Sequence, residues 1–336
     1  MAKVSPATVS RTLAGGRVSA ALRAQVEAAV EATGYRPNLS ARRLRSQDSQ
    51  TLGLIVADIS NPFFTGLARA VEDCAYKAGL RVILCNTDEN PDKEAMYLQL
   101  MEEERVSGLI FAPTREMLGK LKNYNFNFPI VLVDRADNLN AHDAVVLDNY
   151  AAAAMLVEHL YHQGYRQIAG LFGNASTTGV ERRAGYEDAM RRLKLSPTAR
   201  FLPPSTDAAE KEVSGWFNAP LDTKRPDAVI ASNGLFLMGV IRALRAAHKT
   251  TPQDLAIAGF DNERWTELAG PGLTVIEQPV AEMGQAAMQL LLGRLNDGHA
   301  TQRKIILAGH CIIRGSTASL EARQVIPPVH LHSLKS

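Results

Sequence analysis

The 336 residues carry 37 Lys/Arg against 35 Asp/Glu, 46% hydrophobic residues and only three cysteines. That is enough chain for two packed domains and a small appendage. Cys74, Cys85 and Cys311 are too few and too widely spaced for a disulfide framework or a zinc site, and suit a reducing compartment. No apolar run reaches the about 18 residues that span a bilayer, and no apolar segment follows a basic start as in an export signal. A cytoplasmic location with no membrane partner is expected.

The near-neutral total hides an asymmetry. Residues 1–50 hold eight Lys/Arg and three acids, a net of +5, so the remainder stands at −3. A basic head on a mildly acidic body points to a polyanion at one end.

In the head, Ser5 caps a helix over 6–14 with Pro6 in its first turn, and Gly15 and Gly16 end it. Ser19 caps a second helix, "AALRAQVEAAVEAT", whose Leu22, Val26, Ala29 and Val30 form an apolar stripe and which Gly34 closes. "YRPN" is a turn. Asn38 then caps the short basic segment "LSARRLRS", which has too few turns to be stable by itself, before the polar linker "QDSQ".

From residue 51 the chain alternates β-branched runs with amphipathic helices, the rhythm of a parallel, doubly wound α/β sheet. Strands are expected at 51–59, 81–87, 106–113, 129–135, 167–173, 226–233, 254–261 and 273–279. Asn61 and Pro62 open a helix from Phe63 to about Ala78, with Gly79 at its end; Asn149 and Gly164 bracket another. The spacing suggests two similar halves with a break near 136–150 and a cleft between them. Ligands of such sheets bind at the carboxyl ends of the strands, which here carry Asp58, Asn61, Asp88, Asp134, Arg135, Asn233 and Asp261. Neither a GxxxxGK[ST] loop nor GxGxxG nor GxSxG occurs, and nothing pairs a nucleophile with a base. His159 and His162, three apart on "VEHLYHQGY", read as a polar helix face rather than a metal pair. No enzyme, metal or cofactor is expected.

"VSPATVSR", "VSAALRAQVEAAVEATGYRPNLSARRLRS" and "LGLIVADISNPFF", followed in order by "RRAGYEDAM", "PDAVIASN", "AIAGFDN" and "LTVIEQP", closely resemble the LacI/GalR family of bacterial transcription regulators. The resemblance implies a truncated all-α helix-turn-helix head at 1–37 and a hinge helix with linker at 38–50. It implies an effector-binding and dimerisation domain at 51–320, built of two periplasmic-binding-protein-type lobes (about 51–150 plus 279–308, and 151–278 plus 309–320). A tail at 321–336 has no heptads, so a dimer is expected. By the same resemblance Ser5, Pro6, Ala7, Thr8, Ser10 and Arg11 read the major groove of double-stranded DNA, with Arg11 suited to fork onto guanine. Asn38, Ala41, Arg42, Leu44 and Arg45 belong to the hinge, Leu44 as a minor-groove wedge, Ala41 at the close dimer contact and the arginines on phosphates. Two-fold symmetry makes the operator palindromic.

The implied effector site comprises Asp58, Asn61, Phe63, Phe64, Asp134, Arg182, Asn233, Asp261, Trp265 and Gln278. Carboxylate, amide and guanidinium groups suit a sugar or sugar acid, and Arg182 with an overall similarity to gluconate-type regulators points to gluconate or 2-ketogluconate. The aromatic rings would cover the apolar face of a sugar. Two departures stand out. Gly234 replaces the Asp that the family usually places after Asn233, and the helix that should precede "VS" has no residues here. Met1 is therefore expected to be internal, with the natural start upstream. A cytoplasmic sugar-binding protein with impaired DNA binding is the alternative, and an enzyme acting on a small carbohydrate a third.

Overall fold

The computed structural model describes residues 2, 4–13, 16–34, 49–136, 141–220, 225–298 and 300–319. It divides into two units, residues 1–49 and 50–336.

The first unit holds α1 (Pro6–Leu13) and α2 (Ala20–Thr33). At the start of α1 the Ser5 hydroxyl accepts the Thr8 N–H at 3.2 Å and lies 2.9 Å from Thr8 Oγ1, and Pro6 occupies the position where a missing N–H costs nothing. Ser19 has the extended conformation of a cap for α2 but makes no capping bond; Gly34, at φ +59°, ends the helix as the left-handed residue it requires. Of the expected stripe Val26 is buried, whereas Leu22 is exposed. The hinge residues Asn38, Ala41, Arg42, Leu44 and Arg45, and the tail 321–336, lie outside the described residues.

The second unit contains two six-stranded sheets. Strands β1 (Thr51–Val56), β2 (Arg81–Asn86), β3 (Gly108–Phe111), β4 (Ile130–Val133) and β5 (Asp143–Leu147) are joined through α3 (Pro62–Lys77), α4 (Pro91–Glu103) and α5 (Arg115–Leu121). They form one parallel sheet, in the order β5-β4-β3-β1-β2. The chain then enters the second lobe with α6 (Asn149–His162), β6 (Ile168–Gly173), α7 (Thr177–Arg192), β7 (Thr198–Leu202) and α8 (Thr206–Asn218). It continues through β8 (Ala228–Ala231), α9 (Gly234–Ala246), β9 (Ala256–Phe260), α10 (Arg264–Leu268) and β10 (Thr274–Glu277), giving the order β10-β9-β8-β6-β7. α11 (Val280–Asn296) returns to pack on α3, β11 (Lys304–Leu307) adds in parallel to β5, and β12 (His310–Ile312) pairs antiparallel with β10. Three crossings, after β5, β10 and β11, therefore join the lobes.

All six residues of β1 and of β6 are buried, as expected of strands covered on both faces. The two-residue period divides them: Leu54 and Val56 face α3 and α11, while Ile55 joins Leu98, Met101 and Met117 on the opposite face. β5 lies inside the stretch expected to be a break, and β7, β11 and β12 are strands that the sequence pattern does not reveal. β7 and β11 are edges whose residues are exposed or half-buried, so neither reads as a continuous apolar run. The cap of α6 is Asp148, which accepts the Ala151 N–H at 2.9 Å, and not Asn149, which is buried in the first turn.

Candidate functional site

A cavity of about 620 Å³, its open mouth included, lies between the carboxyl ends of the two sheets. Asp58, Asn61, Phe63, Phe64 and Asp134 line it from the first lobe; Arg182, Asn233 and Asp261 line it from the second, with Gln278 at a crossing. Trp265 does not line it. Its indole N–H donates to Glu263, its ring packs on the second-lobe core, and it borders an outer groove that adjoins the cavity through Phe63, Asp261 and Gln278. The expectation that it covers a sugar face is corrected accordingly.

Each lining side chain has a local reason for its place. Asn61 and Asn233 are helix caps: their Oδ1 atoms accept the N–H groups of Phe63 at 3.0 Å and Phe236 at 2.8 Å, which leaves their amide NH2 groups as donors. Asp58 Oδ1 holds the following turn through the Ser60 N–H and hydroxyl, at 2.8 and 2.7 Å. Phe63 and Phe64 pack edge to face, centroids 5.0 Å apart, and belong to the first-lobe core while bordering the cavity. Asp134, Asp261 and Glu89 sit at φ +67°, +78° and +57°, in the left-handed region that costs a side-chain-bearing residue and that Asn and Asp tolerate better than most. All three carboxylates line the cleft.

Arg182 is 4% exposed. Its Nε donates to Asn149 Oδ1 at 2.7 Å and Nη1 donates to the Ser232 carbonyl, while the guanidinium carbon lies 4.0 Å from the Phe260 ring centroid. Burial pushes its proton affinity down, and Asp261 and Asp134 oppose that shift. Arg135, also 4% exposed, grips Glu89 with both Nη atoms and donates from Nε to Asp134 Oδ2 at 3.2 Å and from Nη1 to the Pro113 carbonyl at 3.1 Å. Glu89 and Asp134 hold its pKa above the ordinary arginine value despite burial. For Asp134 burial prevails and the pKa rises, against the pull of Arg135 and Arg182. Asp261 Oδ1 accepts from Gln278 Nε2 at 2.6 Å, and Oδ2 from the Gly234 N–H at 2.9 Å.

Gly234 has a reason in this frame. A Cβ there would collide with Glu263 Oε1, so the Glu263 carboxylate fills the space that a side chain at 234 would need. Reading the sequence also missed Glu89, Asn149 and Ser232 as parts of the site. Asp88, selected at a strand end, instead turns outward to Lys93 and Asn86, and Glu89 takes the inward place one residue later. Among the described residues no three His, Cys, Asp or Glu gather as metal ligands, and His159 Nε2 lies 2.8 Å from Thr317 Oγ1.

Residues 1–38 match the family model of bacterial regulatory proteins of the lacI family, and residues 157–317 that of a periplasmic binding protein-like domain. A ribose operon repressor of Halalkalibacterium halodurans is 36% identical over 297 residues, 88% of each chain. The chain belongs to the lacI family of bacterial regulatory proteins. A lac repressor dimer bound to operator superposes with a TM-score of 0.84 at 24% identity, over 95% of this chain and 97% of that one. A LacI-family regulator of Enterococcus faecium with bound ribose gives 0.71 at 28% identity, over 80% and 99%. For a lacI-family chain the head is the candidate nucleic-acid interface. On α1, Pro6, Ala7, Ser10 and Arg11 are exposed, as is Ser5 ahead of it, whereas Thr8 is half-buried and engaged with Ser5. Positions 7, 10 and 11 share one helix face, so small side chains beside Arg11 leave room for close approach to a groove.

Proposed function

We propose that this lacI-family chain is a transcriptional repressor whose operator affinity is set by a carbohydrate bound between its two lobes. The observation that carries this reading is a cavity at the strand ends whose walls come from both lobes and whose lining is rich in polar side chains, in a chain that also carries the family's DNA-reading segment. A ligand touching both walls favours one arrangement of the lobes over another, and only that difference in affinity can shift the population. The ribose operon repressor and the ribose-bound structure among its relatives support a sugar as the effector.

The head docks α1 in the major groove, and two copies related by two-fold symmetry read a palindrome. The test is fluorescence anisotropy with palindromes from the DNA flanking the chain's own gene, with and without sugars. Tight binding that falls steeply with salt, at about 0.9 log unit per log unit of salt for each phosphate contact, is expected. Arg11→Ala is expected to lose about 1–3 kcal/mol of specific binding at its guanine position. Binding indifferent to operator sequence, or to every sugar, would overturn the reading.

A further inference from the structure

Resting on the carbohydrate reading above, we infer that the effector is an uncharged polyhydroxyl compound, a neutral sugar, and that this cavity discriminates against sugar acids. The lining brings four carboxylates, Asp58, Glu89, Asp134 and Asp261, to two guanidiniums, Arg135 and Arg182. Arg135 is already committed to Glu89, Asp134 and the Pro113 carbonyl. Arg182 is the remaining cation of the lining, and Asp134 and Asp261 already act on it. A ligand carboxylate reaching Arg182 would therefore enter the field of two buried acids, Asp134 and Asp261, that repel it and already take up the guanidinium's attraction.

The helix ends do not reverse this balance. Side chains of Asn61, Ser176 and Asn233 accept first-turn N–H groups of α3, α7 and α9, and the first N–H of α9, that of Gly234, already has the Asp261 carboxylate as its anion. The vacant hydrogen-bonding capacity is instead that of a polyol's partner. Among the described residues, Gln278 Oε1 is buried without a hydrogen bond. Its amide cannot be turned round, because Nε2 must face Asp261 Oδ1. Asp134 uses Oδ2 for Arg135 and Asp58 uses Oδ1 for Ser60, which leaves a second oxygen on each. These acceptors need O–H donors, and the same hydroxyl oxygens can accept from Arg182 and from the Asn61 and Asn233 amides. Replacing a hydroxyl by a carboxylate removes a donor and adds a negative charge to a lining that already holds four carboxyl groups.

Matched pairs isolate the charge. Calorimetric titration of the purified chain with D-glucose and D-glucuronate, D-glucitol and D-gluconate, and D-fructose and 2-ketogluconate compares ligands that keep the same ring or open-chain form and differ chiefly in one carboxylate. The neutral member is expected to bind at least about ten-fold more tightly in every pair that binds. Asp134→Asn, which preserves a residue tolerant of the left-handed region, is expected to narrow that ratio. Tighter binding of any acid than of its neutral partner, or an unchanged ratio in Asp134→Asn, overturns the inference. Binding of neither class overturns the carbohydrate reading itself.

Discussion

At Gly179 a Cβ would fall on the carbonyl oxygen of Gly173, deep inside van der Waals contact, because α7 starts hard against the end of β6. Gly179→Ala is expected to destabilise the protein by about 1–3 kcal/mol in urea denaturation. Gly215, inside α8, has open space where its Cβ would stand, so Gly215→Ala is expected to stabilise by about 0.5–1 kcal/mol. The two glycines look alike in sequence; their opposite signs come from what packs beside them. Glu94 gives a pH signature. It is fully buried and its pKa is raised chiefly by desolvation, although the hydroxyl and N–H of Thr114 both donate to it. A raised folded pKa favours the protonated form, so its stabilising contribution is present below the ordinary carboxylate pKa and lost as pH rises through the raised value. Urea denaturation followed upward from about pH 4 should show the protein losing stability relative to Glu94→Gln as pH rises from the ordinary carboxylate pKa through the raised one, with a constant difference beyond it. A flat difference throughout would mean Glu94 does not titrate differently on folding.

Among the elements, β3 and β6 lead into loops that meet across the cleft: the Arg115 N–H, at the start of α5, donates to the Ala175 carbonyl ahead of α7 at 3.2 Å. Both residues border the rim of the cavity region beside Glu89. A bound effector that holds the lobes together should slow hydrogen exchange of the Arg115 amide, measured with and without saturating sugar; unchanged exchange would separate this contact from ligand binding. The element pattern was legible where burial was two-sided. β1 and β6 are unbroken apolar runs, and Asn61-Pro62 announces α3 by its capping chemistry. β7 and β11 were not, since an edge strand has one solvated side and no distinctive period over four or five residues. Asn149 was legible only as a helix start; its role, holding Arg182 Nε, depends on α6 lying against α7, where a Cβ at Gly185 would strike the Tyr150 carbonyl.

Over the whole molecule, regulation requires the head and the cavity to share one equilibrium. If a sugar shifts the lobes, it should change operator affinity in the anisotropy experiment by the same factor that operator changes sugar affinity, a reciprocity calorimetry can check. Sequence by itself determined what is written locally: an α/β chain, its helix caps, the basic head, the motifs of the lacI family and the strand-end Asp and Asn residues. Periodicity, capping and motif order are short-range properties. Tertiary structure decided which of those charges remain available. Glu89 and Arg135 lie 46 positions apart and meet as a buried pair; Asp134, Arg182 and Asp261 converge from different strands and a helix. Arg182 read as a lone clamp points to an acid, and Arg182 read among its neighbours to the neutral ligand proposed above, because a guanidinium's meaning depends on the carboxylates around it, whose positions follow from long-range pairing.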